Sequence, residues 1–332
     1  MKDFLQLENK ERLFIFEQIR SKTGMNLQAI EKDWWVTQSL RLIFMLDCAP
    51  HLVFKGGTSL SKAWDLIERF SEDIDLALDR KYLGFDKEMT GSQVSKLRKT
   101  SFKYISTIFF NQLIEKFSEE GLENLKIQIA EVKDADKDPL IIEIYYPEVT
   151  GFSEYLKPRV LIEIGSRSLR DPFTLRTFSS LVGEHFAGRT FADEKITIPV
   201  VNPERTFLEK IFLLHEEFQK PADKIRVDRL SRHFYDIERL MDTTYAKIAM
   251  TDNELYWNIV DHRRTLTPVR GIDYDNHTPE KIRLIPPEHI QDKWQKDYEI
   301  MQENMIYGES LPFDKLLMRI AEVQHKINAI IR

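Results

Sequence analysis

Apolar positions recur at helical spacing over residues 9–21 (Leu13, Phe14, Phe16, Ile19) and again over 27–46 (Ile30, Trp34, Trp35, Leu40, Ile43, Phe44). Two helices are therefore expected first, parted at Gly24 and Asn26. Residues 51–54 form a short apolar run ending at Gly56-Gly57, the pattern of a buried strand meeting a turn. A helix is expected over 59–68. Residues 73–78 alternate polar and apolar and read as a strand. A long amphipathic helix is expected over 92–117, then strands over 126–132, 140–146, 159–166 and 195–200. Pro203, after Asn202, suits the first turn of a helix reaching about Phe218. Beyond it the pattern is mostly helical over 203–264 and 286–330, around a connector carrying Pro268, Pro279, Pro286 and Pro287. The predicted class is α+β. A small mixed sheet flanked by helices occupies 1–202, with two helices leading it, and a mainly helical C-terminal domain occupies 203–332.

Composition narrows the class of protein. Hydrophobic residues make up 42% and charged residues 31% of 332 positions, so the chain has the balance and length to bury a core rather than stay disordered. A net charge of −6 excludes a uniformly basic surface and leaves room for a local basic groove. Cys48 is the only cysteine, so no internal disulfide framework exists, as suits a reducing compartment. No apolar stretch reads as a signal peptide or a membrane span, and a cytoplasmic protein without membrane contact is expected.

The chemistry concentrates in residues 55–76. On a strand, Asp73 and Asp75 share a face at about 6.6–7 Å along the chain. Two carboxylates so placed repel unless cations lie between them, and a pair of magnesium ions about 3.5–4 Å apart fits that gap. Upstream, Gly56-Gly57 lets main-chain N–H groups approach a phosphate closely, with hydroxyls on offer from Thr58, Ser59, Ser61 and Ser71. Phosphate donors followed by metal ligands are what phosphoryl or nucleotidyl transfer requires. A D-x-D pair alone is common, and a glycine pair alone is an ordinary turn. Their succession on a strand–turn–helix–strand background is much rarer, and it is not a Walker A loop.

Other candidates carry an ordinary alternative. Glu163 lies among Val160, Leu161, Ile162 and Ile164, so it either faces a cleft or faces solvent from an edge strand. Lys210, on the edge of an apolar helix, would usually be solvated. Asp236 has Arg232 four residues before it, the spacing of a routine helical ion pair. Trp34 and Trp35 read as packing residues rather than base-stacking platforms. Lys32 and Asp33 beside them are candidates for bracing the cleft. His215 and His233 lack zinc-ligand spacing. Basic residues gather over 80–103, 157–159 and 262–264, either as a groove for RNA or as solvated surface.

The stretches KGGTSLSKAW and RFSEDIDLAL resemble the signature of the AbiEii/AbiGii toxin family, within the nucleotidyltransferase superfamily of DNA polymerase beta type. The likeness continues in EKDWWVTQSLR (31–41), PERTFLEKIFLLH (203–215), SRHFYDIERL (231–240) and MIYGESLPFDKLL (305–317). This resemblance implies that Gly56, Gly57, Thr58 and Ser71 hold a triphosphate and that Asp73 and Asp75 hold magnesium. It implies that Lys210 contacts phosphate and that Asp236 completes the site, with the helical domain closing the cleft. Glu163 stands where relatives often carry an aspartate, as a third metal ligand or a base for the acceptor hydroxyl. Fifteen residues lie between Gly57 and Asp73, more than in the commonest superfamily pattern. The implied activity is transfer of a nucleotidyl group from an NTP, with two Mg2+ ions, to an acceptor hydroxyl on RNA, tRNA foremost. The implied setting is a toxin–antitoxin or phage-defence system whose antitoxin need not touch the toxin. The alternatives are a non-catalytic nucleotide-binding regulatory module and a small-molecule nucleotidyltransferase of the aminoglycoside type.

Overall fold

The computed structural model describes residues 2–330 apart from 88, 123, 133, 135 and 152–155. The chain divides into two compact units, 1–63 with 70–201 and 64–69 with 202–332.

The first unit is α+β. In chain order it contains α1 (Lys2–Gln6), α2 (Asn9–Thr23), α3 (Leu27–Ile43), β1 (Leu52–Lys55), α4 (Gly56–Lys62), β2 (Asp73–Leu78), α5 (Gly91–Tyr104), α6 (Phe110–Glu119), β3 (Lys126–Ile129), β4 (Leu140–Tyr145), β5 (Arg159–Gly165), β6 (Phe173–Phe178), α7 (Leu181–His185) and β7 (Ile196–Val201). The leading helices form where the apolar spacing places them. Gly24 closes α2 in a left-handed cap, and the Asn26 side chain caps α3 through the Ala29 N–H. A π turn over Ile105–Phe109 joins α5 to α6, so the long helix expected over 92–117 is one continuous rod with a bulge.

All seven strands form one mixed sheet in the order β3-β4-β5-β2-β1-β7-β6. β2 lies at its middle, antiparallel to β1 and parallel to β5. Alternation along the strands separates two faces. Ile74 and Leu76 of β2, Ile162 and Ile164 of β5, and Ile142 and Ile144 of β4 are at most 1% exposed. Their alternating neighbours Asp73, Asp75, Leu161, Glu163 and Ile141 are only half-buried. The reading of 159–166 as a strand with one polar face thus describes β5. Helix α3 packs against β5 and β2.

Several elements differ from the pattern reading, among them the short helices α1 and α7, which it did not include. The helix predicted over 59–68 begins three residues earlier, at the glycines, and stops at Lys62. Asp65 adopts a left-handed φ of 53°, and residues 64–69 cluster with the second unit. Strand β6 has no counterpart in the predicted elements. Its residues show no single apolar face, and Leu175 is 63% exposed, as an edge strand allows.

The second unit is helical: α8 (Pro203–Gln219), α9 (Arg232–Leu240), α10 (Thr244–Thr251), α11 (Asn253–Leu266), α12 (Gln291–Asn304) and α13 (Phe313–Asn328). Pro203 occupies the first turn of α8, where no N–H partner is needed. Helices α9, α10 and α11 pack on α8, and α13 packs on α9. Trp294, fully buried, packs with tilted rings against Phe218 and Phe234. Residues 64–69 join this unit through a bridge between Arg69 and Ile306 and through the Glu68 carbonyl, which accepts from Tyr307 and Gly308. No helix among the described residues is long and apolar enough to cross a membrane.

Candidate active site

At the heart of the first unit, Lys55 ends β1 in register with Asp75 of β2. The next residue, Gly56, turns back over that aspartate with φ +82°. A Cβ at Gly56 would stand 2.0 Å from Asp75 Oδ2 and 2.8 Å from its Cγ. Any other residue is excluded twice, by the left-handed backbone and by the carboxylate beneath it. The glycine bend and the acidic strand are therefore one assembly.

Asp73 and Asp75 project to the same side of β2, with buried Ile74 between them facing the other way. The Thr58 hydroxyl donates to the Asp73 carbonyl, tying the first turn of α4 to the start of β2. Ser59 Oγ donates to the Gly56 carbonyl at 2.9 Å, and Ser61 Oγ to the Thr58 carbonyl at 3.2 Å. The hydroxyls read as phosphate donors at 58, 59 and 61 thus serve the main chain. Ser71, two residues before Asp73, is half-buried.

Glu163 of β5 pairs in register with Asp75, so Lys55, Asp75 and Glu163 stand side by side on three neighbouring strands. The strands are about 4.8 Å apart. Among the described residues, no three His, Cys, Asp or Glu side chains converge tightly enough to form a ready metal cage. The set nonetheless fits a hard divalent cation that takes carboxylate oxygens from the protein and its remaining ligands from substrate phosphates and water. The Asp75 carboxylate occupies the space a Cβ at residue 56 would need, so glycine there lets the carboxylate lie against the bend.

Lys210 and Asp236 belong to the second unit. The routine pairing of Asp236 with Arg232 is not what the structure shows. Fully buried Asp236 accepts from Arg69 Nε at 2.6 Å and Nη2 at 2.7 Å, and Lys210 Nζ lies 2.8 Å from its Oδ2. Burial alone would raise the Asp236 pKa, but Arg69 and Lys210 hold it far below the usual carboxylate range. Burial lowers the Lys210 pKa, and the Asp236 charge offsets part of that. Burial also takes His233 well below its ordinary value, with Lys210 and Arg232 adding to the effect. Arg69, 1% exposed, received no role from the sequence, although it opens the quoted stretch RFSEDIDLAL. An arginine in a mixed-charge segment gives no signal of burial.

The remaining candidates fall into structural roles. Trp34 packs on Phe4, and Trp35 stacks on Tyr146, both in the core. Burial raises the Cys48 thiol to about 11, leaving it unreactive. His215 accepts from the Arg283 N–H and bonds the Asn276 carbonyl. Several residues of the basic stretches are ion-paired: Arg98 with Asp136, Arg159 with Glu143, and Arg263 with Glu216.

Comparison with known proteins gives a family and a similar fold. The family described as "Nucleotidyl transferase AbiEii toxin, Type IV TA system" matches residues 42–319. No curated protein sequence matches. Among solved structures, MenT4, a nucleotidyltransferase toxin from Mycobacterium tuberculosis H37Rv, is similar in fold at TM-score 0.55 and 17% identity, over 98% of this chain and 91% of that one. JHP933 from Helicobacter pylori aligns over 92% and 93% of the two chains at 14% identity, with a TM-score of only 0.42.

Proposed function

Because this chain belongs to the nucleotidyl transferase AbiEii toxin family of type IV toxin–antitoxin systems, we propose that it moves a nucleotidyl group from an NTP to a hydroxyl of RNA, with Asp73 and Asp75 as its metal-binding carboxylates. The observation that carries this reading is the contact of the Gly56 bend with Asp75, which puts phosphate-approaching main chain directly beside the paired aspartates.

Magnesium bound there supplies charge neutralisation at the triphosphate. The chain's own groups do the rest. Main-chain N–H groups at Gly56 and Gly57, with Ser71, orient the triphosphate. In the second unit Asp236 and Arg69 fix the Lys210 ammonium, which is assigned to phosphate. The acceptor oxygen forms a bond to the α-phosphorus, the bridge to the β-phosphate breaks, and pyrophosphate leaves. Glu163, in register with Asp75 on the neighbouring strand, would take the acceptor's proton.

An RNA acceptor is supported by α5. Residues 89–114 contain no Asp or Glu, and Lys96, Lys99 and Lys103 are exposed along one side of the helix. Such a face suits phosphates, and tRNA is the foremost candidate. The antitoxin of the system acts in this reading without having to contact the chain.

The test is incubation with each labelled NTP, magnesium and total RNA. Label should enter RNA with the wild-type protein and fall by about 10²–10³-fold or more in Asp73→Ala or Asp75→Ala. NTP binding without any transfer would refute the enzymatic reading and favour a regulatory module. Transfer to an aminoglycoside but not to RNA would replace the acceptor.

A further inference from the structure

Glu31, Lys32 and Asp33 are three consecutive charged residues in the first half of α3, and they are only 2%, 1% and 6% exposed. Charged side chains are almost never so buried unless paired. Successive helical residues point about 100° apart, so the trio fans out to three different neighbours. Glu31 accepts from the Val149 N–H at 2.9 Å, the Thr150 N–H at 3.2 Å and the Thr150 hydroxyl, fastening the chain just beyond β4. Lys32 donates at 2.7 Å to Glu72, the residue directly before β2, and its charge also interacts with Asp73. Asp33 receives the ammonium of Lys62, the last residue of α4, and accepts from the Leu181 N–H at 2.8 Å.

We propose that Lys32 and Asp33 are positioning residues for nucleotidyl transfer: from one turn of α3 they clamp the start of β2 and the end of α4, and so fix Asp73 and Asp75 against the Gly56 bend. This rests on the function proposed above. Stability alone gives a weak reason for these pairs, because buried ion pairs can often be replaced by apolar residues without loss. Geometry gives a stronger one. The glycine bend and the acidic strand meet with no room for a single Cβ, so a small slip of either element would change the site. Referring both elements to the same helix turn removes that slip. Groups that orient metal ligands typically matter by about 10–100-fold in affinity or activity when they are removed.

The test compares wild type with Lys32→Met/Glu72→Gln, a double variant that removes both charges of the pair at similar volume. Mn2+ with each of the four NTPs is titrated by calorimetry, and kcat, KM for RNA and melting temperature are measured alongside. The double variant should stay folded, lose about 10–100-fold in Mn2+–NTP affinity and in kcat, and keep its KM for RNA. Lys32→Arg, which keeps the charge, should recover most of the loss. If the double variant fails to fold, Asp33→Asn decides by the same readings, since its amide oxygen still accepts from Leu181 while the Lys62 ammonium loses its carboxylate. A folded variant with wild-type affinity and kcat overturns the proposal and leaves the enzymatic reading intact. Failure of the wild-type protein itself to bind Mn2+–NTP would sink that reading and this proposal together.

Discussion

Gly56 is the residue on which the site turns. Its left-handed backbone strains alanine, and the 2.0 Å that would separate a Cβ from Asp75 Oδ2 forces the carboxylate out of its place against the bend. Gly56→Ala should therefore lower melting temperature, by an amount equivalent to about 1–3 kcal/mol, and should weaken Mg2+–NTP binding well beyond that of a surface Gly→Ala such as Gly188→Ala. Calorimetric titration of both variants checks this, and equal binding by both would contradict it. The bend at Gly56 was legible in sequence because a glycine pair directly after an apolar run marks a turn at a strand end. Thr58 was legible only as a hydroxyl. That it ties the Asp73 carbonyl instead of facing a phosphate depends on where α4 starts, which spacing alone does not fix. Arg69 was not legible, because its carboxylate partner lies far along the chain at Asp236.

At the scale of elements, alternation was the most informative signal. The strand expected over 73–78 is β2 to the residue, because a half-buried strand in mid-sheet writes its two faces into the sequence. β6 escaped because an edge strand with no single apolar face writes nothing comparable. The helix over 59–68 was misplaced because Trp64 and Ile67 continue the apolar spacing although the backbone reverses at Asp65. Helix α8 carries a testable pH effect. Burial, with His277 adding, lowers the His215 pKa to about 4 from 6.5. The unfolded chain takes a proton near 6.5 and the folded one only near 4. The stability due to neutral His215 is thus complete above pH 6.5 and is lost as pH falls from 6.5 to 4. By pH 5 the loss is about 2 kcal/mol. His233, held well below 6.5 by its burial, acts with the same sign. Melting temperature should fall between pH 7 and pH 5, and less steeply in His215→Gln. Identical slopes in the two proteins would contradict the assignment.

At the scale of the whole molecule, the candidate residues fall in two compact units. The first contributes the glycine bend and the acidic strand, and the second contributes a lysine held by a buried aspartate and arginine. The α+β class and the family were readable because the chemistry-bearing stretches are short, local and spaced by elements with clear periodicity. Charge pairing was not readable, since Lys32 with Glu72 and Arg69 with Asp236 join residues distant in sequence. We propose that Asp73 and Asp75 bind cations that hold a triphosphate at the Gly56 bend. The most direct test of this is a crystal structure grown with Mn2+ and a non-hydrolysable NTP, read from the manganese anomalous signal. Manganese should lie against Asp73 and Asp75 with the triphosphate over Gly56 and Gly57, and Asp75→Asn should abolish the signal. Nucleotide bound elsewhere, or manganese binding that survives Asp75→Asn unchanged, would contradict the claim.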